Sequence, residues 1–494
     1  MRYLKLFLLS VMLMTFMSSN ARVFSEFVTV NGVSFQITYD TEAGTADAAV
    51  MKCFACVSPP EEITYEYPDS TLYLDHVLGV PVTAIKELAF CGCKHIKNIL
   101  LSSNLKTIEA HAFKSSSVAS INLGSSESLS IGDYAFQGCN RLERIESTSI
   151  VTKLGKAAFS YCCKLTNFDC NESTWTITKI ENETFEGCSS MGPFRFPPTV
   201  TEIGARAFLG CNAMQYVFLP NDLKAIRSYA FADCQELKYV YSSAQELDTI
   251  GDHAFVKCVN LESVFIPRSV TCIGEYAFAA CYKLKYADLP PGLTSIGNHA
   301  FAGCYGLGSI NIPNTLSTIS ERAFSGALLS IGISGGHISL MEEGTYEILG
   351  SLKNITIGRS VTSIHNRAFV GHVPESIICM APTPPVVYNS GYSAFAQEAF
   401  DSTTLKVPRI LIDKYKTANE WKKFKNIEGI EILGNGDVDE NNRLSINDVV
   451  TLIDVLLGNS PDQFNPINAD IDGNGKLTIV DVSALIDMLL NDDE

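Results

Sequence analysis

Residues Val270 to Pro290 read V-T-C-I-G-E-Y-A-F-A-A-C-Y-K-L-K-Y-A-D-L-P, and residues Leu293 to Pro313 read L-T-S-I-G-N-H-A-F-A-G-C-Y-G-L-G-S-I-N-I-P. Ile-Gly, Ala-Phe, Cys, Leu and a closing Pro recur 23 residues apart. Followed outward, the Phe alone marks Phe90, Phe113, Phe136, Phe159, Phe185, Phe208, Phe231, Phe255, Phe278, Phe301, Phe324 and Phe369. Nine of the eleven steps are 23 or 24 residues and one is 26; the last, 45, reads as two periods with one coil degraded. A unit this short cannot bury its own apolar face and is stable only against its neighbours, so the chain is predicted to be a repeat solenoid. Such a chain presents a surface and not a catalytic pocket.

Within each copy, Ile or Leu stands five residues before the Phe (Ile203, Ile226, Ile250, Ile273, Ile296) and Leu or Met six after it (Met191, Met214, Leu237, Leu261, Leu284, Leu307). These are predicted inward pegs. Beyond them, as in Leu261 to Pro267, apolar and outward residues alternate, the mark of a half-buried strand, and the Pro removes a donor and ends it. The A-F-x-x-C segment is too short for more than one turn of helix. Each coil therefore reads as strand, turn, short strand, short helical turn, with a parallel sheet along the solenoid.

Nine of the sixteen Cys lie three residues after a repeat Phe: Cys93, Cys139, Cys162, Cys188, Cys211, Cys234, Cys258, Cys281 and Cys304. Equivalent atoms in stacked coils are about 4.8 Å apart, but their side chains point the same way. They read as a stack of buried thiols packing as small hydrophobes. Cys53 and Cys56 form a C-x-x-C, with Cys91 further on; plain packing, a disulfide and a metal site are all open for it.

The chain opens with Arg2 and Lys5, runs apolar from Leu6 to Phe16, and turns small and polar through Ser18, Ser19, Asn20 and Ala21. This reads as a secretory signal peptide over residues 1–21. No later apolar run approaches the roughly 18 residues that span a bilayer, so an exported protein, secreted or held at the cell surface, is expected. The net charge of −17 is uneven, because residues 436–494 carry thirteen Asp and Glu against only Arg443 and Lys476. Without a basic footprint a nucleic-acid partner is excluded, and a dense acidic tail points to metal binding.

The pattern I-G-x-x-A-F-x-G-C-x-x-L-x-x-I-x-I-P-x-x-V-T closely resembles the BspA-like leucine-rich repeats of bacterial surface proteins over residues 80 to about 370. The resemblance implies a solenoid with a parallel sheet on one side and a family associated with adhesion to host surfaces and matrix. The predicted organisation has five parts. After the signal peptide come a β-rich cap over 22–80, the solenoid over 81–381, a second cap over 382–432, and a calcium-binding domain over 436–494. The second cap is predicted as a strand ending at Val407 and Pro408 and a helix carrying Ile412, Tyr415, Trp421 and Phe424. Around Gly335 and Gly336, where the repeat falters, a loop or bend is expected.

In the tail, D-V-D-E-N-N-R-L-S-I-N-D from Asp437 matches D-I-D-G-N-G-K-L-T-I-V-D from Asp470, thirty-three residues later. Oxygen donors fall at loop positions 1, 3, 5, 9 and 12: Asp437, Asp439, Asn441, Ser445 and Asp448, then Asp470, Asp472, Asn474, Thr478 and Asp481. That spacing lets one loop wrap a hard cation, so two Ca2+ ions are expected. Each loop feeds an amphipathic helix whose apolar residues match: Ile446, Val449, Ile453, Leu456 and Leu457, then Ile479, Val482, Ile486, Leu489 and Leu490.

The tail resembles a type I dockerin, which implies a calcium-dependent plug for cohesin modules of a scaffold that gathers secreted, mostly glycan-degrading proteins. Loop position 6 departs from the pattern in the first copy, where Asn442 stands for Gly475. Positions 10 and 11, which the resemblance implies contact the partner, are Ile446 and Asn447, then Ile479 and Val480.

The outward strand positions eight and ten after the Phe carry Tyr216 and Phe218, Tyr239 and Tyr241, Phe265, and Tyr286. Two readings are open: cross-strand aromatics that stabilise the sheet, or a face that binds a host, matrix or glycan ligand by stacking. Lys238, Lys283 and Lys285 beside it read as a solvated edge or as partners for acidic groups on a ligand. His111, His253 and His299 share the position two before the Phe, do not converge as metal ligands, and read as exposed variable positions.

No nucleophile elbow, zinc helix motif or phosphate loop occurs, and a solenoid without long insertions offers no deep pocket. A non-enzymatic binding protein is expected, adhesin-like or a substrate-targeting part of a polysaccharide-degrading complex.

Overall fold

The computed structural model describes residues 23–30, 33–40, 45–53, 71–168, 175–326, 330–334, 337–341, 352–388, 391–441, 443–461 and 463–491. The signal peptide, Cys56, Gly335, Gly336 and Asn442 lie outside them, as does the side chain of Cys53. The chain forms two compact units, residues 1–199 and 200–494.

In the first unit the alternating N-terminal segments form an antiparallel meander, Val23–Val30 with Val33–Asp40 and Val33–Asp40 with Thr45–Cys53. Thr45–Cys53 then pairs in parallel with Val80–Ile85, and the ladder continues through Thr107–Ile108, Leu129–Ile131 and Val151–Leu154. A second parallel sheet runs Thr71–Leu74, Asn98–Leu101, Ser120–Asn122, Arg144–Glu146, Asn167–Phe168. Each coil thus contributes one strand to each of two sheets. The core between them holds a file of Phe rings, Phe90, Phe113, Phe136 and Phe159, at 5.0, 4.9 and 5.0 Å, with Phe185 at 5.7 Å.

The second unit repeats the plan. One sheet stacks Glu202–Ile203, Ala225–Ile226, Thr249–Ile250, Cys272–Ile273 and Ser295–Ile296, and another Tyr216–Leu219, Tyr239–Ser242, Ser263–Val264 and Tyr286–Ala287. The predicted pegs Ile203, Ile226, Ile250, Ile273 and Ile296, and Met214, Leu237, Leu261, Leu284 and Leu307, are buried, as their spacing requires. The Phe file runs from Phe208 to Phe369 and on to Phe395, 5.6 Å further, a coil that a Phe-only reading of the sequence passes over.

The corner at A-F-x-x-C is not helical. In the coil of Phe278 the N–H groups of Ala277, Ala279 and Cys281 close three successive turns on the carbonyls of Gly274, Tyr276 and Phe278. Tyr276 and Ala280 have φ of 53° and 58°, the third-residue conformation of type II turns, which no helix contains. The remaining N–H groups, of Tyr276, Phe278 and Ala280, bond the next coil's carbonyls at Asn298, Ala300 and Ala302. Local turns and coil-to-coil bonds therefore alternate, which satisfies every corner amide. The Gly of Ile-Gly is required by proximity: a Cβ on Gly297 would lie 2.4 Å from the backbone N of Glu275.

The thiols have a specific role in this stack. The Sγ of seven repeat Cys (Cys139, Cys162, Cys188, Cys234, Cys258, Cys281 and Cys304) donates to the carbonyl of the preceding coil's Phe, as from Cys139 to Phe113 (3.0 Å), Cys258 to Phe231 (3.2 Å) and Cys304 to Phe278 (3.3 Å). At Phe369 the position is His372, whose Nε2 takes over the bond to the Phe324 carbonyl at 2.8 Å. Cys93 departs from the expected thiol stack because it is disulfide-bonded.

The 45-residue step is not two periods. Ser309–Asn311 pairs directly with Asn354–Ile357, Thr318–Ile319 with Ser363–Ile364, and the rings of Phe324 and Phe369 stack at 5.7 Å. The intervening chain is a long insertion that includes an antiparallel pair, Ser330–Ser334 with His337–Met341.

The C-terminal cap is also more finely divided than its apolar spacing suggests. The strand Thr404–Pro408 is followed by a helix of only Ile412–Thr417, a 3-10 turn Trp421–Lys423, and a further strand, Asn426–Ile430, in parallel register with Thr404–Pro408. Glu420, at φ 70°, ends any helix between Tyr415 and Trp421. Three helices follow, Ile446–Leu456, Pro466–Ala469 and Ile479–Asn491, around a core of Val438, Val449, Leu452, Ala469, Val482 and Leu485. No described helix is long and apolar enough to cross a membrane.

Candidate functional site

The sheet register brings the six outward aromatics together on one face. Tyr216 pairs with Tyr239 and Phe218 with Tyr241; Tyr239 is opposite Ser263, and Ser263 opposite Tyr286. Phe218 and Tyr241 stack at 4.9 Å, and Tyr216 meets Phe218 edge-on at 5.6 Å. Cross-strand packing does not hide them: all six are exposed, Tyr286 by 68%. The adjacent lysines are engaged with the preceding coil, Lys285 with Glu262 at 2.9 Å and Lys283 with the Asn260 amide oxygen at 2.7 Å.

The position two before the Phe is not the exposed one expected from its variability. Its residues take positive φ throughout, which folds the side chain back along the stack. Tyr229, His253, Tyr276 and His299 form a second ring file at 4.5, 4.9 and 4.4 Å, with Tyr276 and His299 buried. Burial lowers the pKa of His253, against an opposing pull from Asp252.

In the tail the paired loops have matching geometry. Asp448 accepts from Val438 N (2.7 Å) on one carboxylate oxygen and from Ser445 N (2.8 Å) on the other; Asp481 does the same with Ile471 N (3.0 Å) and Thr478 N (2.8 Å). These bonds make Ser445 and Asp448 a capping box for the helix Ile446–Leu456. Among the described residues, two acidic groups have ligand atoms close enough to share a cation, within 4.8 Å of one another. They are Asp437 with Asp439 and Asp448, and Asp470 with Asp472 and Asp481.

Asp470 is the most telling member. It is 3% exposed, its Oδ2 accepts from Gly475 N at 2.9 Å, and its Oδ1 is buried without a hydrogen-bond partner. Burial, and then the neighbouring carboxylates of Asp481 and Asp472, push its carboxyl above the usual range. An orphaned buried carboxylate oxygen costs free energy unless something positive meets it.

The helices divide their apolar residues differently from the expected core stripe. Only Val449 and Val482 of the matched positions are well buried, while Leu452 and Leu485 supply the rest of the helical core. Ile446, Ile453, Leu456 and Leu457, and Ile479, Ile486 and Leu490, stay exposed, with Ile446 at 66% and Ile479 at 68%. Val480 and Asn447 are exposed as well, so the four residues at loop positions 10 and 11 are all on the surface. The sign was present in the sequence: apolar residues at 446, 449, 450, 452, 453, 456 and 457 cover more of a helix than one core contact needs.

Comparison with curated proteins finds no match. Among solved structures the chain is similar to a leucine-rich repeat protein from Bacteroides ovatus, with 19% identity, 74% of this chain and 94% of that one covered, and a TM-score of 0.48. It is also similar to a leucine rich cell surface protein from Faecalibacterium prausnitzii, with 19% identity, 84% and 100% coverage, and a TM-score of 0.42. A third is the pneumococcal vaccine antigen PcpA, with 18% identity, 82% and 99% coverage, and a TM-score of 0.42. The family described as BspA type Leucine rich repeat region matches residues 75–178, 172–285 and 272–404, in six copies. With two thirds of its length accounted for by that match and a period carried by parallel coils, the chain belongs to the BspA-type leucine-rich repeat family.

Proposed function

We propose that this chain is an exported, non-enzymatic surface protein that captures a host, matrix or glycan ligand on its aromatic face and is docked to a partner through a calcium-folded, dockerin-like tail. Family membership points to a ligand-binding, adhesin-like role, and leucine-rich repeats of this kind serve as scaffolds. The observation that carries the reading is the exposed file of Tyr216, Phe218, Tyr239, Tyr241, Phe265 and Tyr286, whose ring faces a sheet would otherwise bury. Export is supported by the apolar leader of residues 6–16 and by the disulfide at Cys93, which persists in oxidising compartments.

For the tail, the orphaned Oδ1 of Asp470 amid two more carboxylates is a fit for a hard divalent cation. Asp437, Asp439, Asn441, Ser445 and Asp448 would hold one Ca2+, and Asp470, Asp472, Asn474, Thr478 and Asp481 the other. The cation would offset carboxylate repulsion and join the loop ends. Ile446, Asn447, Ile479 and Val480 are then the docking residues, and a cohesin-like scaffold is one partner that accepts an apolar helix surface of this kind. A second reading, a targeting component of a polysaccharide-degrading complex, is favoured by the seven exposed apolar residues on two matched helices.

Capture of candidate ligands by the full chain tests the face: the pair Tyr239→Ala and Phe265→Ala should abolish it with unchanged circular dichroism. Undiminished capture would remove the aromatic face from the account. For the tail, calorimetric titration with Ca2+ should show two sites, one lost in Asp470→Ala.

A further inference from the structure

Beyond Tyr286, the repeat positions that carry the aromatics change chemistry. In Ser309–Asn311 and Asn354–Ile357 they hold amides and hydroxyls, and Asn311 faces Thr356 in register across that strand pair. Where the two strands end, a cavity of about 520 Å3 is lined by Asn311, Pro313, Asn314, Thr356, Arg359 and Met380, among others. That size suits a small ligand.

Arg359 is the single charged residue in this lining. Its guanidinium Nη1 donates to Oδ1 of Asn468 at 3.0 Å, and no carboxylate pairs with it among the described residues. In a chain with 54 acidic residues against 37 basic ones, a half-buried guanidinium resting on a neutral amide is conspicuous. Its position is fixed from behind. Asn468 is 3% exposed and spends its Nδ2 on the carbonyl of Asp437 at 2.7 Å, which orients Oδ1 toward Arg359. Asn314 accepts the backbone N–H of Arg359 on Oδ1 at 3.0 Å, leaving its amide NH2 as a donor.

We infer that this cavity binds a saccharide carrying a carboxylate, a uronic acid unit. The guanidinium matches a carboxylate with paired charge-assisted bonds. Asn311, Asn314 and Thr356 offer donors and acceptors to ring hydroxyls, while Pro313 and Met380 give the apolar contact that the C–H face of a sugar needs. A neutral sugar leaves the Arg359 charge unmet, and a bare carboxylate forgoes everything except Arg359. The site goes beyond the aromatic face and stands or falls separately from it.

The test is calorimetry and saturation-transfer NMR on the full chain, with galacturonate and glucuronate against galactose, glucose and acetate. A uronate should bind at least about ten-fold more tightly than its neutral counterpart, the value of a charge-assisted bond, and at least about ten-fold more tightly than acetate, the value of two hydrogen bonds from the ring hydroxyls. Arg359→Gln should remove that preference, Arg359→Lys should retain part of it, and Asn311→Ala should weaken acidic and neutral sugars alike. Tyr239→Ala with Phe265→Ala should change none of these. Since Arg359 also touches Asn468, unchanged far-UV circular dichroism and melting temperature of Arg359→Gln serve as the control that the tail contact is not what was lost. Equal binding of acidic and neutral sugars, acetate binding as well as uronates, no binding at all, or an Arg359→Gln protein that still prefers uronates would each overturn the inference.

Discussion

The Sγ of Cys281 donates to the carbonyl oxygen of Phe255, 3.2 Å away in the preceding coil. Burial raises the pKa of this thiol well above 9.0, and raises that of Cys234 to about 12. Since the thiolate is the reactive form, a chromogenic disulfide reagent at pH 8 should label Cys91, Cys163 and Cys272 in the native protein. The nine buried free thiols among the described residues should react only on unfolding. Cys281→Ala leaves the Phe255 carbonyl with its other bond, from Cys258 N, and should cost about 0.5–1.5 kcal/mol for the hydrogen bond lost, read from denaturant midpoints; a shift near zero would mean the thiol merely fills space.

The direct stacking of Phe324 on Phe369 makes the intervening insertion dispensable for the coils. Replacing residues 327–351 by three residues returns that step to 23 and should leave far-UV circular dichroism and melting temperature nearly unchanged. A broad loss of cooperativity would show that the insertion holds the stack together.

His253 lies between Tyr229 and Tyr276, and burial sets its folded pKa below 6.5. The unfolded chain therefore binds more protons in the window from 6.5 down to the folded value. The associated stability is fully present above 6.5 and is lost as the pH falls through that window. Glu275, whose carboxyl burial raises above 4.5, works in the opposite direction at lower pH. The clean readout is a difference: between pH 7 and 5 the melting temperature of wild type should fall more steeply than that of His253→Phe.

Asp470→Asn removes a buried charge that lacks a partner and should leave the cation-free tail at least as stable as wild type. It should also remove the second loop's share of the calcium-induced stabilisation, about 2.7 kcal/mol for one site at a hundred-fold excess over Kd, and leave that of the first loop. Thermal melts with calcium and with chelator give all four values. Equal calcium shifts in the two proteins would mean that the ion does not sit at Asp470.

The Phe period was enough to place the coils, the inward pegs and the sheet, because each is a one-dimensional spacing with one packing solution. The outward aromatics were equally legible, since parallel register preserves repeat position. What the spacing could not convey was backbone hand. Positive φ at Tyr276 and Ala280 turns an apparent helical turn into chained type II turns and brings His253 and His299 inward instead of out. The Phe324 to Phe369 step misleads because 45 is near twice 23, and only the pairing of Ser309–Asn311 with Asn354–Ile357 separates an insertion from a degraded coil. The tail helices misled in the other direction: their apolar period is genuine, yet much of it faces water.

The parallel pair Thr404–Pro408 and Asn426–Ile430 joins the last coil to the C-terminal helices through five matched residue pairs, and Gly475 of the second loop sits so close to Arg409 that a Cβ there would lie 2.4 Å from its Cγ. A pull on Ile479–Asn491 therefore does not extend a slack tether. It loads the strand pair in shear, where backbone bonds share the force and must yield together.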